Sequence, residues 1–265
     1  MGKKTFKDKF QRFETKYVIS KEVLANLLTE FEEHMVEDEH AYSTISNLYY
    51  DTPTFQMIRE SLEKPYFKEK LRVRTYDENP VEDSQVFLEI KKKVRKIVYK
   101  RRISTDLLAA ESYLAGDRGQ TDDSQIREEI DWLMARYQKV QPMMYIYYNR
   151  YSMKGIEDPN VRITIDYDLI YRSEDLSLLD GKHGEKLLPE GYVIMEIKVP
   201  GAYPLWLSEI LNHHQVFPKS FSKYGVAYKK TTDYKGVVNH AKSINMKEDI
   251  FCVKAVPLLL LGGLV

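Results

Sequence analysis

Apolar and polar residues alternate with a period of two along much of the chain. In Lys70-Leu-Arg-Val-Arg-Thr-Tyr76 this places Lys70, Arg72, Arg74 and Tyr76 on one face of a strand, with Leu71, Val73 and Thr75 on the other. The pattern recurs in residues 13–19, where Glu14, Lys16 and Val18 oppose Phe13, Thr15, Tyr17 and Ile19, and in residues 86–93, where Glu89 and Lys91 oppose Val86, Leu88 and Ile90. Residues 98–104 set Lys100 and Arg102 against Tyr99 and Ile103, and residues 192–199 set Glu196 and Lys198 against Val193, Met195 and Ile197. Residues 43–52 form a further strand, as do residues 143–154 and 161–172; in the last, Arg162, Thr164, Asp166 and Asp168 share a face. The charged positions of these strands are mainly Lys and Arg, whereas an unselected wet face would also carry many Ser, Thr, Asn and Gln.

Helical spacing separates the strands. Ser20 caps an amphipathic helix over about 21–35, and Pro53 opens a short helix running to about Glu63. Further helices are expected at about 106–115, 123–139, 203–213 and 221–231. Glu30, Glu32, Glu33, Glu37, Asp38 and Glu39 read as a solvated helix face and the loop after it, and residues 174–190 read as a polar loop. With no internal repeat and no low-complexity linker, residues 1–235 form one domain, followed by a tail over 236–265. The apolar run 255–265 within it is about half the ~20 residues of a membrane-spanning helix.

Composition narrows the function classes. The 265 residues carry 40 basic and 40 acidic side chains, so overall charge gives no case for nucleic-acid or membrane-surface binding, and a basic site must come from local sorting. Cys252 is the single cysteine, so no internal disulfide is possible, and the first residues lack the apolar stretch of a secretory signal; the expected location is the cytoplasm. Six scattered histidines with one cysteine do not suggest a zinc-type site; His213-His214, the only adjacent pair, falls at a helix end. There is no Walker loop. The cluster Tyr145, Tyr147, Tyr148 and Tyr151 reads as wall packing, with nucleotide stacking as the alternative.

The economical arrangement is an α+β fold: an antiparallel β-barrel tunnel of about eight strands, with apolar faces outward under helices and charged faces lining the lumen. Lys16, Arg72, Arg74, Lys91, Lys100, Arg150, Arg162 and Lys198 then line one lumen, with Glu14, Glu89, Asp166 and Glu196 among them. So many like charges are tolerable only around a polyanion, and guanidinium forks fit phosphate oxygens. The carboxylates suit a hard divalent cation, Mg²⁺ or Mn²⁺, bridging to phosphate. The bland alternative is the wet side of an open sheet, its charges paired into salt bridges.

The ordered segments Phe-Glu-Thr-Lys-Tyr-Val at 13–18, Leu-Tyr-Tyr-Asp at 48–51, Leu-Arg-Val-Arg at 71–74, Leu-Glu-Ile-Lys at 88–91 and Tyr-Lys-Arg-Arg at 99–102 resemble the VTC domain. The resemblance continues through Tyr-Asn-Arg at 148–150, Val-Arg-Ile-Thr-Ile-Asp at 161–166, Met-Glu-Ile-Lys at 195–198 and Phe-Ser-Lys-Tyr at 221–224, covering about residues 10–230. This is the polyphosphate polymerase domain of the vacuolar transporter chaperone family, with bacterial single-domain relatives, in the triphosphate tunnel metalloenzyme superfamily. It implies transfer of the γ-phosphoryl group of ATP, or another nucleoside triphosphate, to a growing polyphosphate or pyrophosphate acceptor with Mn²⁺ or Mg²⁺. Lys223, Lys198, Arg72, Arg74 and Glu196 would carry the reaction, with Glu196 as metal ligand, Glu14, Glu89 and Asp166 as further candidates, and Lys219 as a partner of Lys223.

Two departures qualify the resemblance. Tunnel hydrolases are similar in carrying Glu-x-Glu-x-Lys on the first strand; here Arg12 replaces the first carboxylate, which leans towards the polymerase branch. The Lys219–Lys223 spacing is one residue longer than in the polymerase motif. The sequence shows neither an SPX-like helical bundle nor a membrane segment, so regulation and translocation are not expected of this chain alone, and a membrane-associated partner is one possibility. The alternatives are a metal-dependent triphosphatase and a non-catalytic module that binds polyphosphate or an inositol phosphate.

Overall fold

The computed structural model describes residues 13–95, 97–117 and 124–232. Arg12, Cys252 and the tail expected at 236–265 lie outside them. Strand β1 (Phe13–Ser20) leads into helix α1 (Lys21–Phe31), β2 (Met35–Asp51), α2 (Gln56–Leu62), β3 (Phe67–Thr75), β4 (Gln85–Val94) and β5 (Ile97–Asp106). Helices α3 (Leu107–Ala115) and α4 (Gln125–Tyr137) follow, then β6 (Gln141–Gly155), β7 (Arg162–Arg172), the short β8 (Glu185–Lys186), β9 (Tyr192–Val199), α5 (Leu205–His213) and α6 (Lys223–Thr231). The strands form one sheet in the order β1-β9-β7-β6-β2-β3-β4-β5, with β8 paired to β7, and every pairing is antiparallel.

This is the expected α+β architecture, with one correction: the barrel is not closed. Among the described residues β1 and β5 do not pair. The backbone N–H of Lys219 instead donates to the Lys16 carbonyl at 2.7 Å, which uses a β1 edge group that a closing strand would need. The sheet is nevertheless strongly curled. The Glu14 and Glu196 carboxylates, on β1 and β9 at one end of the strand order, act electrostatically on Lys91 of β4 near the other.

The convex side follows the alternation. Tyr17, Ile19, Ile163, Ile165, Met195 and Ile197 face outward under α1 and α5, which contribute Leu27, Phe31, Leu207 and Leu211. Leu48, Leu71, Val73, Val86, Leu88 and Ile90 lie under α3 and α4, which contribute Ala110, Leu114, Ile130 and Leu133. Tyr145 and Tyr147 pack in this second layer, as wall residues should. Side-chain caps start the helices where the sequence puts them: Ser20 Oγ accepts from Val23 N–H at 3.2 Å, and Asp106 Oδ1 from Ala109 N–H at 2.8 Å.

The concave side is only partly charged. Ile45, Met144, Ile146, Leu169 and Ile194 form a third apolar cluster there, covered by Ile58 of α2 and by Tyr224, Ala227 and Tyr228 of α6. Local irregularities account for other differences. Helix α1 ends at Phe31 and β2 begins at Met35, so Glu37, Asp38 and Glu39 lie on a strand rather than in a loop. A register shift between β6 and β7 falls at Asp168, which has φ 52°; it turns Asp168 off the concave face, exposed, and brings Leu169 onto it.

Helix α2 starts three residues after Pro53 because its N-terminus is bound by groups at the end of β2. Asp51, fully buried, accepts from Thr52 N–H at 2.7 Å and Met57 N–H at 2.8 Å through Oδ1, and from Ile58 N–H at 3.0 Å and the Tyr224 hydroxyl at 2.9 Å through Oδ2. One carboxylate thus fixes the strand end, the start of α2 and the position of α6. Gly225 lets α6 come this close: a Cβ there would stand 3.1 Å from Leu62. Asp51→Ala is therefore expected to destabilise the protein by about 2–4 kcal/mol, and Tyr224→Phe by about 1 kcal/mol, in denaturant unfolding. Near-zero losses in both would mean that α6 is held by its apolar face alone.

Candidate functional site

The remaining concave face is a charged trough whose membership follows from register. On one side β1 pairs with β9 so that Lys16 opposes Glu196 and Glu14 opposes Lys198. β9 pairs with β7 so that Glu196 opposes Thr164, and β7 with β6 so that Asp166 opposes Arg150. On the other side Arg72 opposes Glu89, Glu89 opposes Arg102, and Lys91 lies between Lys70 and Lys100. The side with β1, β9, β7 and β6 holds the cations Lys16, Lys198 and Arg150, joined by Lys223 from α6. The side with β3, β4 and β5 holds Lys70, Arg72, Arg74, Lys91, Lys100 and Arg102.

Three buried carboxylates organise these cations. Glu89, 2% exposed, holds Arg72 at 2.6 Å, Lys100 at 2.7 Å and Arg74 at 3.9 Å. Burial opposes its charge, but Arg72, Arg74 and Lys100 outweigh it and lower its pKa to about 2. Asp166, with no exposed surface, takes the Arg150 guanidinium in two bonds of 2.6 and 2.9 Å and Lys223 Nζ at 2.5 Å; against its burial, Lys223 and Arg150 keep it well below the usual carboxylate range. Glu196 pairs with Lys198 at 2.8 Å and Lys16 at 3.6 Å, and these two lysines likewise overcome burial and hold it low. Lys16 also meets Glu14 at 3.4 Å; burial opposes its charge, yet the two carboxylates raise it.

Tyrosines and an asparagine hold the guanidinium groups in place. Arg74 donates to Asn47 Oδ1 at 2.9 Å and to the Tyr148 hydroxyl at 3.2 Å, and Arg72 donates to the Tyr49 hydroxyl at 3.0 Å. The Lys223 ammonium lies 4.4 Å from the centre of the Tyr148 ring. Burial would raise the Tyr148 phenol, but Arg74, Lys223 and Arg150 bring it down to about 8. Lys70 donates to Ser222 Oγ at 2.9 Å, just before α6. Burial, abetted by Lys91, Lys68 and Lys16, lowers Lys70 to about 8, although Tyr49 opposes the shift.

Most of the residues expected from sequence thus share one face. Arg162 differs: by register it belongs to that face, but its half-exposed guanidinium is held by Asp38 of β2 at 2.5 Å. Lys91 and Lys100 are exposed to solvent, and Lys219 is half-buried with its backbone on the β1 edge. The sequence reading omitted Lys70, Arg102, Tyr49, Tyr148 and Asn47 from the site. Lys70 and Arg102 were visible in the alternation, and Tyr148 shares the parity of Arg150; what parity could not show is that the Tyr49 and Tyr148 hydroxyls bind arginines rather than merely fill the wall.

The residues present fit a divalent ion at one place. Glu14 and Glu196 converge on the same Lys16 ammonium, and Thr164 Oγ1, opposite Glu196, is buried without a hydrogen-bond partner. Two carboxylates with water and substrate oxygens are the surroundings that Mg²⁺ ordinarily accepts. Among the described residues, no three His, Cys, Asp or Glu ligand atoms converge within the trough.

A Bacillus halodurans structure described as that of a candidate adenylate cyclase is similar at a TM-score of 0.50 and 14% identity, over 79% of this chain and 92% of that one. A Pyrococcus horikoshii protein is similar at a TM-score of 0.42 and 14% identity, over 83% and 99%. No functionally curated protein matches the sequence. The model of the VTC domain matches residues 11–232, a span containing every element of the sheet and its helices, and the chain therefore belongs to the VTC domain family.

Proposed function

We propose that the chain is a polyphosphate polymerase that transfers the γ-phosphoryl group of ATP to a phosphate chain held in the same trough. The observation that carries this reading is the surplus of positive charge. Four cations on one side and six on the other face four carboxylates, Glu14, Glu89, Asp166 and Glu196. A nucleoside triphosphate brings roughly four negative charges, so cations remain for an acceptor phosphate beside it. Hydrolysis needs no such second anion site.

The chemistry asks little covalent work of the protein. A terminal oxygen of the acceptor chain forms a bond to the γ-phosphorus while the bond from that phosphorus to the β,γ-bridging oxygen breaks, and the nucleoside diphosphate leaves with the electron pair. Arg72 and Arg74 on one side and Arg150, Lys198 and Lys223 on the other neutralise the spreading charge and hold the two phosphate groups in line. The carboxylates beneath them keep these cations oriented before substrate arrives. Glu196 and Glu14 would hold Mg²⁺ or Mn²⁺, which when bound adds charge neutralisation at phosphate oxygens.

Incubation with ATP, Mn²⁺ and a pyrophosphate primer should give a ladder of long phosphate chains on a resolving gel, and Lys223→Ala should abolish it. Release of free phosphate alone would instead indicate a triphosphatase, and tight polyphosphate binding with neither product a receptor. Glu196→Ala should lower kcat by ~100-fold or more while leaving pyrophosphate binding within a few-fold; unchanged turnover would remove Glu196 as a metal ligand.

The depressed pKa of Lys70 gives a separate test with a defined sign. Near pH 8.5 Lys70 is largely neutral, and a bound polyanion favours its ammonium form, so tripolyphosphate binding should take up protons and weaken as pH rises through about 8. Tyr148, also near 8, contributes with the same sign, because a polyanion favours its neutral phenol. Calorimetry in two buffers of different ionisation enthalpy measures the uptake; it should fall in Lys70→Met and in Tyr148→Phe, and equal heats in both buffers would contradict this account.

A further inference from the structure

We propose that Glu30, His213 and His214 form a binding site for a borderline transition-metal ion, of which Zn²⁺ is the representative, on the opposite face of the sheet from the trough. Sequence reading gave the two adjacent histidines no such role; the fold supplies the third ligand. Glu30 lies in the last turn of α1, His213 is the last residue of α5, and His214 caps that helix. His214 Nε2 and Glu30 Oε1 are 2.5 Å apart, and one ligand atom from each of the three residues lies within 4.8 Å of the other two. In a tetrahedral zinc site with bonds of ~2.1 Å the ligand atoms stand ~3.4 Å apart, so closing this triad takes only small side-chain shifts.

The surroundings favour a cation independently of the ligand atoms. His213 and His214 end α5, at the negative end of its dipole, and the last turn of α1 carries no basic residue. Two imidazoles with one carboxylate select Zn²⁺, Ni²⁺ or Co²⁺ over the hard ions suited to the trough. Coordination would join α1 to α5 across the seam where His34 stacks on Trp206 at 4.3 Å. It would also anchor the start of segment 214–222, whose Lys219 N–H bonds the Lys16 carbonyl and whose end delivers Ser222 to Lys70. The ion is thus a clip on the outer layer, and none of its ligands belongs to the phosphate site.

The test uses the full, untagged chain carrying Cys252→Ser, stripped with chelator and then titrated with ZnCl₂ or MgCl₂ by calorimetry and thermal melting. One Zn²⁺ per chain is expected to bind and to raise Tm by a few degrees (on the order of 2–5 °C), with no matching effect of Mg²⁺. His213→Ala, at an exposed position, and His214→Ala should each weaken Zn²⁺ binding by about tenfold or more. Glu30→Gln can still hydrogen-bond His214, so it should keep the metal-free Tm while losing most of the Zn²⁺-induced gain. Absence of Zn²⁺ binding would overturn the assignment, as would binding or a Tm gain that survives all three substitutions.

Discussion

Cations crowded onto one concave face repel each other, and the fold depends on how that repulsion is contained. Two unit charges ~8 Å apart at an effective dielectric of ~20 repel by about 2 kcal/mol, and each cation here has several such neighbours. Glu89, Asp166 and Glu196 offset this from beneath, each buried and each holding at least two cations. Burial alone would push protons onto these carboxylates; their depressed pKa values show that the cations win. The result is that Lys16, Arg72, Arg74, Lys100, Arg150, Lys198 and Lys223 are oriented before any ligand arrives, each sharing a counter-charge that a phosphate oxygen can supplement or replace.

That containment needs elements distant in sequence to meet. Lys223 reaches Asp166 only because α6 is pressed onto the concave side, where Tyr224 stacks on Tyr49 at 4.7 Å and its hydroxyl finds Asp51. Tyr49 in turn accepts from Arg72. The apolar part of the concave face and the charged part are therefore joined through α6: a helix that fills a core with Tyr224, Ala227 and Tyr228 presents its first residue to the trough. Loss of packing at one is loss of geometry at the other.

Much of this was legible in the chain. Period-two alternation identified the eight long strands and assigned Lys16, Arg72, Arg74, Glu89, Lys91, Lys100, Arg150, Glu196 and Lys198 to one face, because that parity survives wherever a strand is regular. It failed where regularity fails. The bulge at Asp168 exchanges the faces of β7 midway, and an aspartate, though it tolerates a positive φ better than most residues, does not by itself mark a bulge within a regular alternation. Pro53 looked like a helix start, but Asp51 and Thr52 capture the backbone N–H groups of Met57, Ile58 and Gln56 and set the start later. Closure of the barrel was inferred from strands with one apolar and one charged face, whereas pairing of the last edges depends on what occupies the β1 edge, and there Lys219 uses the Lys16 carbonyl. Arg162 had the right parity but a stronger local partner in Asp38.

On the proposed polymerase reading, the charge balance of the trough also bears on how a phosphate acceptor would outcompete water. Water is abundant and small, so a site that activates a triphosphate for transfer with open solvent above it would lose the phosphoryl group to water. What tips the competition is an anion site that raises the local concentration of the acceptor and fixes its oxygen in line, a gain that proximity can make large. Cations on both sides would provide such a site under that reading, since Arg72 and Arg74 need not serve the same phosphate group as Lys16 and Lys198 across the trough. The same cations would bind the lengthened product as tightly as the substrate if they were rigid and unshared. Each is instead shared with a carboxylate already in place, so release of a phosphate group returns the cation to its resting partner rather than leaving it uncompensated. On that reading a trough built this way would hold a polyanion firmly and still let it advance.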